Sequence, residues 1–406
     1  MDVLHCDLNN FYASAECAYN PLLDAKYVAV AGNPETRHGI ILAKNEAAKK
    51  MGVKTGEAIW QAKNKCPELV CLPPHYELYA DYSRKVREIY EQYTDQVESF
   101  GPDECWLDVT HSKIFGTPFE IAEKIRNEVR EKIGLTISVG VSFTKTFAKL
   151  GSNMKKPDAT TVISKENFRE KVWPLDVAEM LFVGRKTSER LRDMAIFTIG
   201  DLACANLAAL KRTFGINGEK MWRAANGIDD DPVMKNGEER VVKSVGHGTT
   251  TLRDMRSLED VDKVAVYLCE MIATRLRRYG LTASVVAVDM RSANDLSHFS
   301  RQTSVQQTAT ASALHDAAMR LVRKNWDGSP LRTLSVYTSG LAPCAAVEQA
   351  SIFDEVDDKK ANLEFALDKI RKKFGFYSIK KAALVGNDLV CDKFAGEDDL
   401  LPFHRG

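Results

Sequence analysis

Asp7, Asp103 and Glu104 are the side chains of this 406-residue chain best suited to carry chemistry. Asp7 follows the run Val3-Leu4-His5-Cys6, which alternates and then ends on a polar tip, as a short strand does. Asp103 and Glu104 follow Gly101-Pro102, a tight turn between two strand-like runs over residues 97–110. Adjacent carboxylates at a strand turn repel each other and lose solvation if they are buried. A bound divalent cation removes that cost. An oxygen-only donor set suits Mg²⁺, which keeps waters and substrate phosphates in its shell. Two such ions about 4 Å apart stabilise both the attacking and the leaving oxygen of an in-line phosphoryl displacement. Spacing alone leaves a plainer alternative open, in which Asp103 caps a turn and Glu104 lies at the surface.

The elements that would position these acids are legible from periodicity. Residues 2–8 read as a strand, and Tyr27–Ala31 and Gly39–Ala43 as two more, with Gly32, Asn33 and Pro34 turning between them. Asn45–Met51 turns helical and Gly52 closes it. Leu78–Val97 is a long amphipathic stretch, Phe119–Lys132 reads as helix and Leu135–Phe143 as a buried strand. Residues 1–165 therefore mix strand and helix, with antiparallel pairing around the 97–110 hairpin. Phe182–Leu202 and Phe214–Gly227 each place a glycine turn between short helices. Such turns expose backbone N–H groups at a helix N-terminus, where a phosphate is well held. Residues 235–250 are polar and Gly-bearing and read as a linker. Residues 251–342 read as a βαββαβ unit with helices Val261–Tyr279 and Thr308–Asn325 and strands Ala283–Met290 and Leu331–Ser339. A last amphipathic helix spans Lys359–Phe374.

Composition narrows the class. With 44% apolar and 28% charged residues, the chain is neither disordered throughout nor built to span a membrane. Its N-terminus, MDVLHCDL, does not read as a signal peptide. The nine cysteines are scattered without a CxxC pair, which predicts reduced thiols in a cytoplasmic protein rather than disulfides or zinc. The eight histidines show no metal-ligand spacing. The 56 basic and 56 acidic side chains cancel overall, which would argue against a nucleic-acid partner if the charge were evenly spread. It is not: residues 241–346 carry 13 Lys/Arg against 9 Asp/Glu, with Arg275, Arg277 and Arg278 at one helix end.

Three stretches in register resemble the motifs of the Y-family, or translesion, DNA polymerases. Asp7-Leu8-Asn9-Asn10-Phe11-Tyr12-Ala13-Ser14-Ala15-Glu16 resembles the first, and Ser99-Phe100-Gly101-Pro102-Asp103-Glu104-Cys105-Trp106-Leu107-Asp108 the second. Ser138-Val139-Gly140-Val141-Ser142, with Lys145, Ala148-Lys149 and Lys156-Pro157, is similar to the third. The resemblance covers about residues 1–345. It implies an α+β multidomain right-hand polymerase: a ferredoxin-like palm at 1–10 and 77–165, small fingers at 11–76, and a helical thumb with helix-hairpin-helix repeats at 166–235. A linker at 236–242, a βαββαβ little finger at 243–345 and a tail at 346–406 complete it.

The resemblance also assigns roles. Asp7, Asp103 and Glu104 are the catalytic acids, and with the Leu8 carbonyl they hold two Mg²⁺ ions, for which Mn²⁺ can substitute. Tyr12 is the steric gate against a ribose 2′-hydroxyl. Asn10, Phe11, Tyr12, Lys49 and Lys156 bind the nucleotide, and Ala43, Gly56 and Ala58 leave the pocket open at the base. Gly184, Lys186, Gly215, Gly218, Lys243 and Ser244 bind DNA. Asn45–Lys54 and Tyr76–Asp81 look closer to the UmuC-like branch than to the DinB type, whose fingers carry a Tyr and an Arg where this chain has Glu46 and Lys49. A lysine still holds phosphate as a point charge, whereas an ionised glutamate cannot donate to one. Gln349-Ala350-Ser351-Ile352-Phe353 resembles the peptide by which bacterial replication proteins bind the sliding clamp, through Gln349, Ser351, Ile352 and Phe353, although Ala350 stands where the motif usually has Leu. The expected enzyme is a cytoplasmic, monomeric, low-fidelity polymerase that takes primer–template DNA and dNTPs, bypasses lesions in DNA repair and the SOS response, and lacks a proofreading exonuclease. An accessory subunit is a further possible partner. Two rivals fit less well. A palm-type nucleotidyl cyclase needs a Gly-Gly-acid-Glu-Phe turn, which is absent, and a non-catalytic DNA-binding relative would have lost at least one of the three acids.

Overall fold

The run VLHCDL is apolar on both sides of its alternation, as in a strand covered on both faces. In the computed structural model it forms β1 (Val3–Leu8), with all six residues buried. The structure describes residues 1–36, 39–238, 241–344, 358–375 and 378–390. Its backbone divides into two units, Met1–Ala31 with Ile41–Glu239, and Gly32–Ile40 with Arg240–Gly406.

In the first unit β1 leads into α1 (Phe11–Tyr19), and β2 (Val28–Ala31) and β3 (Ile41–Lys44) follow. Next come α2 (Glu46–Lys50), α3 (Ile59–Lys65), β4 (Val70–Leu72) and α4 (Tyr76–Tyr90). The hairpin is β5 (Val97–Ser99) and β6 (Glu104–Asp108), followed by α5 (Pro118–Glu128), β7 (Ile137–Ser142), α6 (Lys145–Met154) and β8 (Thr160–Ile163). The main sheet has the order β5-β6-β1-β7-β8, antiparallel except for the β7–β8 pair. The strand expected at 2–8 and the hairpin at 97–110 are therefore present, and β1 lies at the centre of the sheet. α4 buries Tyr79, Ser83, Val86, Ile89 and Tyr90, a helical stripe that explains the amphipathic stretch. That stretch ends at Tyr90, seven residues short of the expected Val97. α5 begins on a capping box, Thr117 with Glu120, and has Pro118 at its first position. Gly140 explains how α6 reaches the sheet. A Cβ there would lie 1.8 Å from the Ala148 carbonyl oxygen, so only glycine lets the helix pack this closely on β7. β2, β3 and β4 make a separate small sheet over a core of small residues, among them Ala29, Ala31, Ala48 and Ala62.

The rest of the first unit is helical: α7 (Phe168–Val172), α8 (Arg185–Asp193), α9 (Ile199–Cys204), α10 (Leu207–Phe214) and α11 (Ile216–Ala225). The two glycine turns separate helices as expected, Gly184 preceding α8 and Gly215 (φ +61°) standing between α10 and α11. Gly218 has another task. A Cβ on it would meet the Leu210 carbonyl oxygen at 2.3 Å, so it lets α10 and α11 touch.

The second unit holds β9 (Val245–Met255), α12 (Leu258–Arg278), β10 (Leu281–Ser292), β11 (His298–Thr308), α13 (Ala311–Asn325), β12 (Leu331–Pro343) and α14 (Asp358–Phe374). The expected βαββαβ order is present as a sheet of order β11-β10-β12-β9. The expected 235–250 linker is too long, because β9 already begins at Val245. The reason is steric: Cβ atoms on Gly246 and Gly248 would lie 2.2 Å from the Tyr337 and Ser335 side chains of β12, so the glycines that look like a loop make room across a strand pair. Among the described residues no helix is long and apolar enough to cross a membrane, and the eight described cysteines are free.

Candidate active site at the strand-end acids

Strand register brings the acids together. Asp7 lies directly opposite Glu104 on β6 and opposite Ser138 on β7. The Asp103 carbonyl accepts from the Leu8 N–H at 3.0 Å, which holds the hairpin turn against the end of β1. Because side chains alternate across a sheet, His5, Asp7, Glu104 and Trp106 share one face. α6 supplies that face with Lys149, which pairs with Glu104, and the segment after it supplies Lys156, 2.8 Å from Asp7 Oδ2.

Electrostatics sorts the three acids. Burial raises the Asp103 carboxyl to about 7, with the charges of Asp7 and Glu104 adding to it. Burial also raises Asp7, against the opposing pull of Lys156. Burial would raise Glu104 as well, but His5 and Lys149 outweigh it and hold the group at about 2. His5 is fully buried, which lowers its imidazole. Its Nδ1 lies 2.8 Å from Ser152 Oγ, and Nε2 faces Glu104 Oε2 at 3.4 Å. Among the described residues no three His, Cys, Asp or Glu side chains close into a ready cage, and lysines take the free carboxylate oxygens of Asp7 and Glu104. The donor set nevertheless fits a divalent cation. It is oxygen-only, and burial together with the charge of Asp7 and Glu104 raises the Asp103 carboxyl to about 7, a cost that such an ion relieves.

The other wall is aromatic. α1 starts directly after β1 through Asn10, at φ +52°. Phe11 is buried, and the half-buried Tyr12 stacks on Tyr79 with centroids 4.2 Å apart. Burial, then Tyr76 and Asp103, push the Tyr12 phenol up to about 12. Glu46 accepts from Asn10 Nδ2 at 3.2 Å and lies 3.4 Å from Lys49 Nζ. Asn9 also binds the strand ends: Oδ1 accepts from the Asp158 N–H at 2.8 Å, and Nδ2 donates to Ser138 Oγ at 2.9 Å.

The structure therefore gathers Asp7, Leu8, Asn10, Phe11, Tyr12, Asp103, Glu104 and Lys156 at one end of β1. Lys49 adjoins Asn10 only through Glu46 and is half exposed. Gly184, Lys186 and Gly215 are exposed in the helical part of the first unit, Gly218 is buried there, and Lys243 and Ser244 are exposed in the second unit. Gln349, Ser351, Ile352 and Phe353 lie outside the described residues. His5, Asn9, Glu16, Tyr79 and Lys149 were not singled out as site residues from the sequence. The period-two alternation along β1 was the available signal for His5, and the third motif was the signal for Lys149.

The impB/mucB/samB family matches residues 6–153 and its C-terminal domain residues 242–352, while a thumb domain described from DNA polymerase-iota matches 182–229. The chain is 46% identical to a DNA polymerase IV of Acetivibrio thermocellus, over 94% of this chain and 97% of that one. It is 37% identical to DNA polymerase IV 2 of Bacillus subtilis and 36% identical to DNA polymerase IV 2 of Halalkalibacterium halodurans, in both cases over 93% of each chain. A solved Y-family DNA polymerase chimera shares the fold, with a TM-score of 0.72 at 23% identity over 84% of this chain and all of that one. The chain belongs to the impB/mucB/samB family, within the Y family of DNA polymerases. The named relatives are of the DNA polymerase IV, or DinB, type. Whole-chain similarity thus sides with that type rather than with the UmuC-like branch expected from Asn45–Lys54 and Tyr76–Asp81.

Proposed function

We propose that this chain is a template-directed DNA polymerase that adds dNTPs to a primer 3′ end at low fidelity, passes lesions and has no proofreading exonuclease. The observation that carries the reading is the register of Asp7 opposite Glu104, with Asp103 at the same strand end. Asp7 and Asp103 would hold two Mg²⁺ ions (or Mn²⁺), with Glu104 and the Leu8 carbonyl completing the set. Such ions lower the barrier by polarising the primer hydroxyl and by neutralising charge on the reacting phosphate.

The chain's own groups do the positioning. Lys156 and Lys149 hold Asp7 and Glu104 in place, and bound cations would compete with them for the same carboxylate oxygens. Backbone N–H groups of Asn10 to Tyr12, at the N-terminus of α1, face the triphosphate, as does Lys156, and Lys49 adds a point charge. Tyr12 stands against the 2′-position of the incoming sugar. In family terms residues 1–10 and 77–165 are the palm, 11–76 the fingers, 166–235 the thumb and 243–345 the little finger. The exposed turns at Gly184–Lys186 and Gly215, together with Lys243 and Ser244, hold DNA through phosphates, so binding falls as salt rises. Gly218 serves by packing. Gln349, Ser351, Ile352 and Phe353 attach the enzyme to a sliding clamp, and the protein works in the cytoplasm as a monomer, with an accessory subunit as a further partner.

Extension of a labelled primer with Mg²⁺ and dNTPs tests the reading. The wild type should add nucleotides, and Asp103→Ala/Glu104→Ala should bind the same primer–template without extending it. Equal extension by both proteins would refute the assignment of the acids.

A further inference from the structure

Behind Tyr12 lies a platform that the metal chemistry does not use. Tyr79, on α4, is only 1% exposed, and its ring lies flat against that of Tyr12, 12° from parallel. Tyr76 packs edge-on against both rings, at 6.1 and 6.0 Å, and Phe11 closes another side. Stacked rings slide over one another at little cost, so the stack alone does not fix the height of Tyr12. Glu16 supplies the fixed point. Its side chain is 4% exposed, its Oε1 accepts from the Tyr79 hydroxyl at 2.6 Å, and the same oxygen lies 2.9 Å from His75 Nδ1. A short hydrogen bond from a phenol to a carboxylate is among the stronger ones available to a protein. Glu16 also stands four residues after Tyr12 on α1, on the same helix face, so one short helix carries both the ring and the anchor of its support.

We propose that Glu16 is a positioning residue for sugar selection: by holding the Tyr79 hydroxyl it fixes the ring on which Tyr12 rests, and so sets the gap that excludes a ribose 2′-hydroxyl. The proposal rests on Tyr12 acting as the gate. Rejecting a single oxygen atom demands placement within roughly half an ångström, which locked supporting side chains provide and a lone rotatable tyrosine does not.

The test is the ratio of kcat/KM for a dNTP to that for the matching rNTP, measured on primer–template with the full chain. Tyr12→Ala should abolish the preference. Glu16→Ala and Tyr79→Phe should each lower it roughly tenfold, the scale of one lost hydrogen bond to a charged group. Combining the two should lower it no further, because both cut the same link. Glu16→Gln, whose amide oxygen still accepts from Tyr79, should restore most of the ratio. If Tyr12→Ala leaves the preference intact, the gate reading fails and this proposal goes with it. If Tyr12→Ala abolishes it while Glu16→Ala and Tyr79→Phe slow both nucleotides equally, the gate stands and the positioning role is overturned. Tyr79→Phe keeps the ring, so it decides the matter should Glu16→Ala fail to fold.

Discussion

At the end of β1 three carboxylates crowd together and two lysines hold two of them. Along the seam between α12 and α14 every named acid is paired with a cation, and the three acids face three cations. Glu270 and Arg371, at 4% and 6% exposure, pair at 2.6 Å, with Lys381 reaching Glu270 at 3.2 Å. Arg277 pairs with Glu364 and, at 2.6 Å, with Asp368, and it also donates to the Ala309 carbonyl at 2.9 Å. The two regions bury similar groups to opposite ends. In the seam, charges are matched and hold a helix in place. At β1 the acids are pushed apart, one to about 7 and one to about 2, and their imbalance is relieved only by something that binds.

Activity should separate the regions most sharply. Asp7→Asn should cost at least about a hundredfold in primer extension, the scale of losing one electrostatic contact to a reacting centre, and should cost no stability. Arg371→Ala should do the reverse to stability, lowering it by about 3–5 kcal/mol in urea denaturation because Glu270 is left buried with a weaker partner. Replacing both members, Glu270→Leu with Arg371→Met, should recover most of that loss. If Asp7→Asn unfolds the protein and Arg371→Ala does not, the contrast between the regions is wrong.

Asp103 gives a smaller effect with a defined pH window. Its folded carboxyl titrates at about 7, against 3.8 for an ordinary aspartate. A raised acid binds its proton more tightly when folded, so it destabilises the metal-free protein above about 7 and stops doing so as pH falls towards 4. Asp103→Asn should therefore be more stable than wild type at pH 8 by roughly 1–3 kcal/mol, discounted for partial solvent screening. The gap should close by pH 4–5. Taking the difference between the two proteins matters, because His5, with its lowered imidazole, moves wild-type stability the other way below pH 6.5. Adding Mg²⁺ at pH 8 should narrow the gap by stabilising only the wild type.

What could be read from the sequence follows the same division. The hairpin and the central strand announce themselves, since turn residues and a buried alternation are local signals, whereas the three acids stand out only through the motifs around them. Lys149 and Asn9 do not, because their partners arrive from 45 and 149 residues away, at Glu104 and Asp158. Tyr79 and Glu16 are 63 residues apart, and no local pattern around either one points to the hydrogen bond between them. Gly246 and Gly248 misled directly, since glycine in a strand and glycine in a loop are the same letter. The pairing of α14 with α12 is hidden for a further reason: its charged face points inward, whereas Leu363, Ile370 and Phe374 are exposed, so the amphipathic pattern names the wrong side.

Exposure, rather than the number of bonds, should decide what an ion pair in the second unit contributes. Arg253 is amply bonded: it bridges Asp260 with two bonds of 2.9 Å and Asp388 with bonds of 2.6 and 3.1 Å. It is, however, 45% exposed. Asp260 stays partnered without it, because the carboxylate also accepts from the Arg256 N–H at 3.0 Å. Arg253→Ala should therefore cost only about 0.5–1 kcal/mol, and less as salt is raised from 50 to 500 mM. Hydrogen bonding from Arg253 holds Asp260 at about 2, so its contribution is complete above 3.8 and fades as pH falls towards 2. The variant should thus lose its difference from wild type in acid, while Arg371→Ala stays destabilised across the same salt series. Equal losses for the two arginines at high salt would show that exposure does not set the contribution of these pairs.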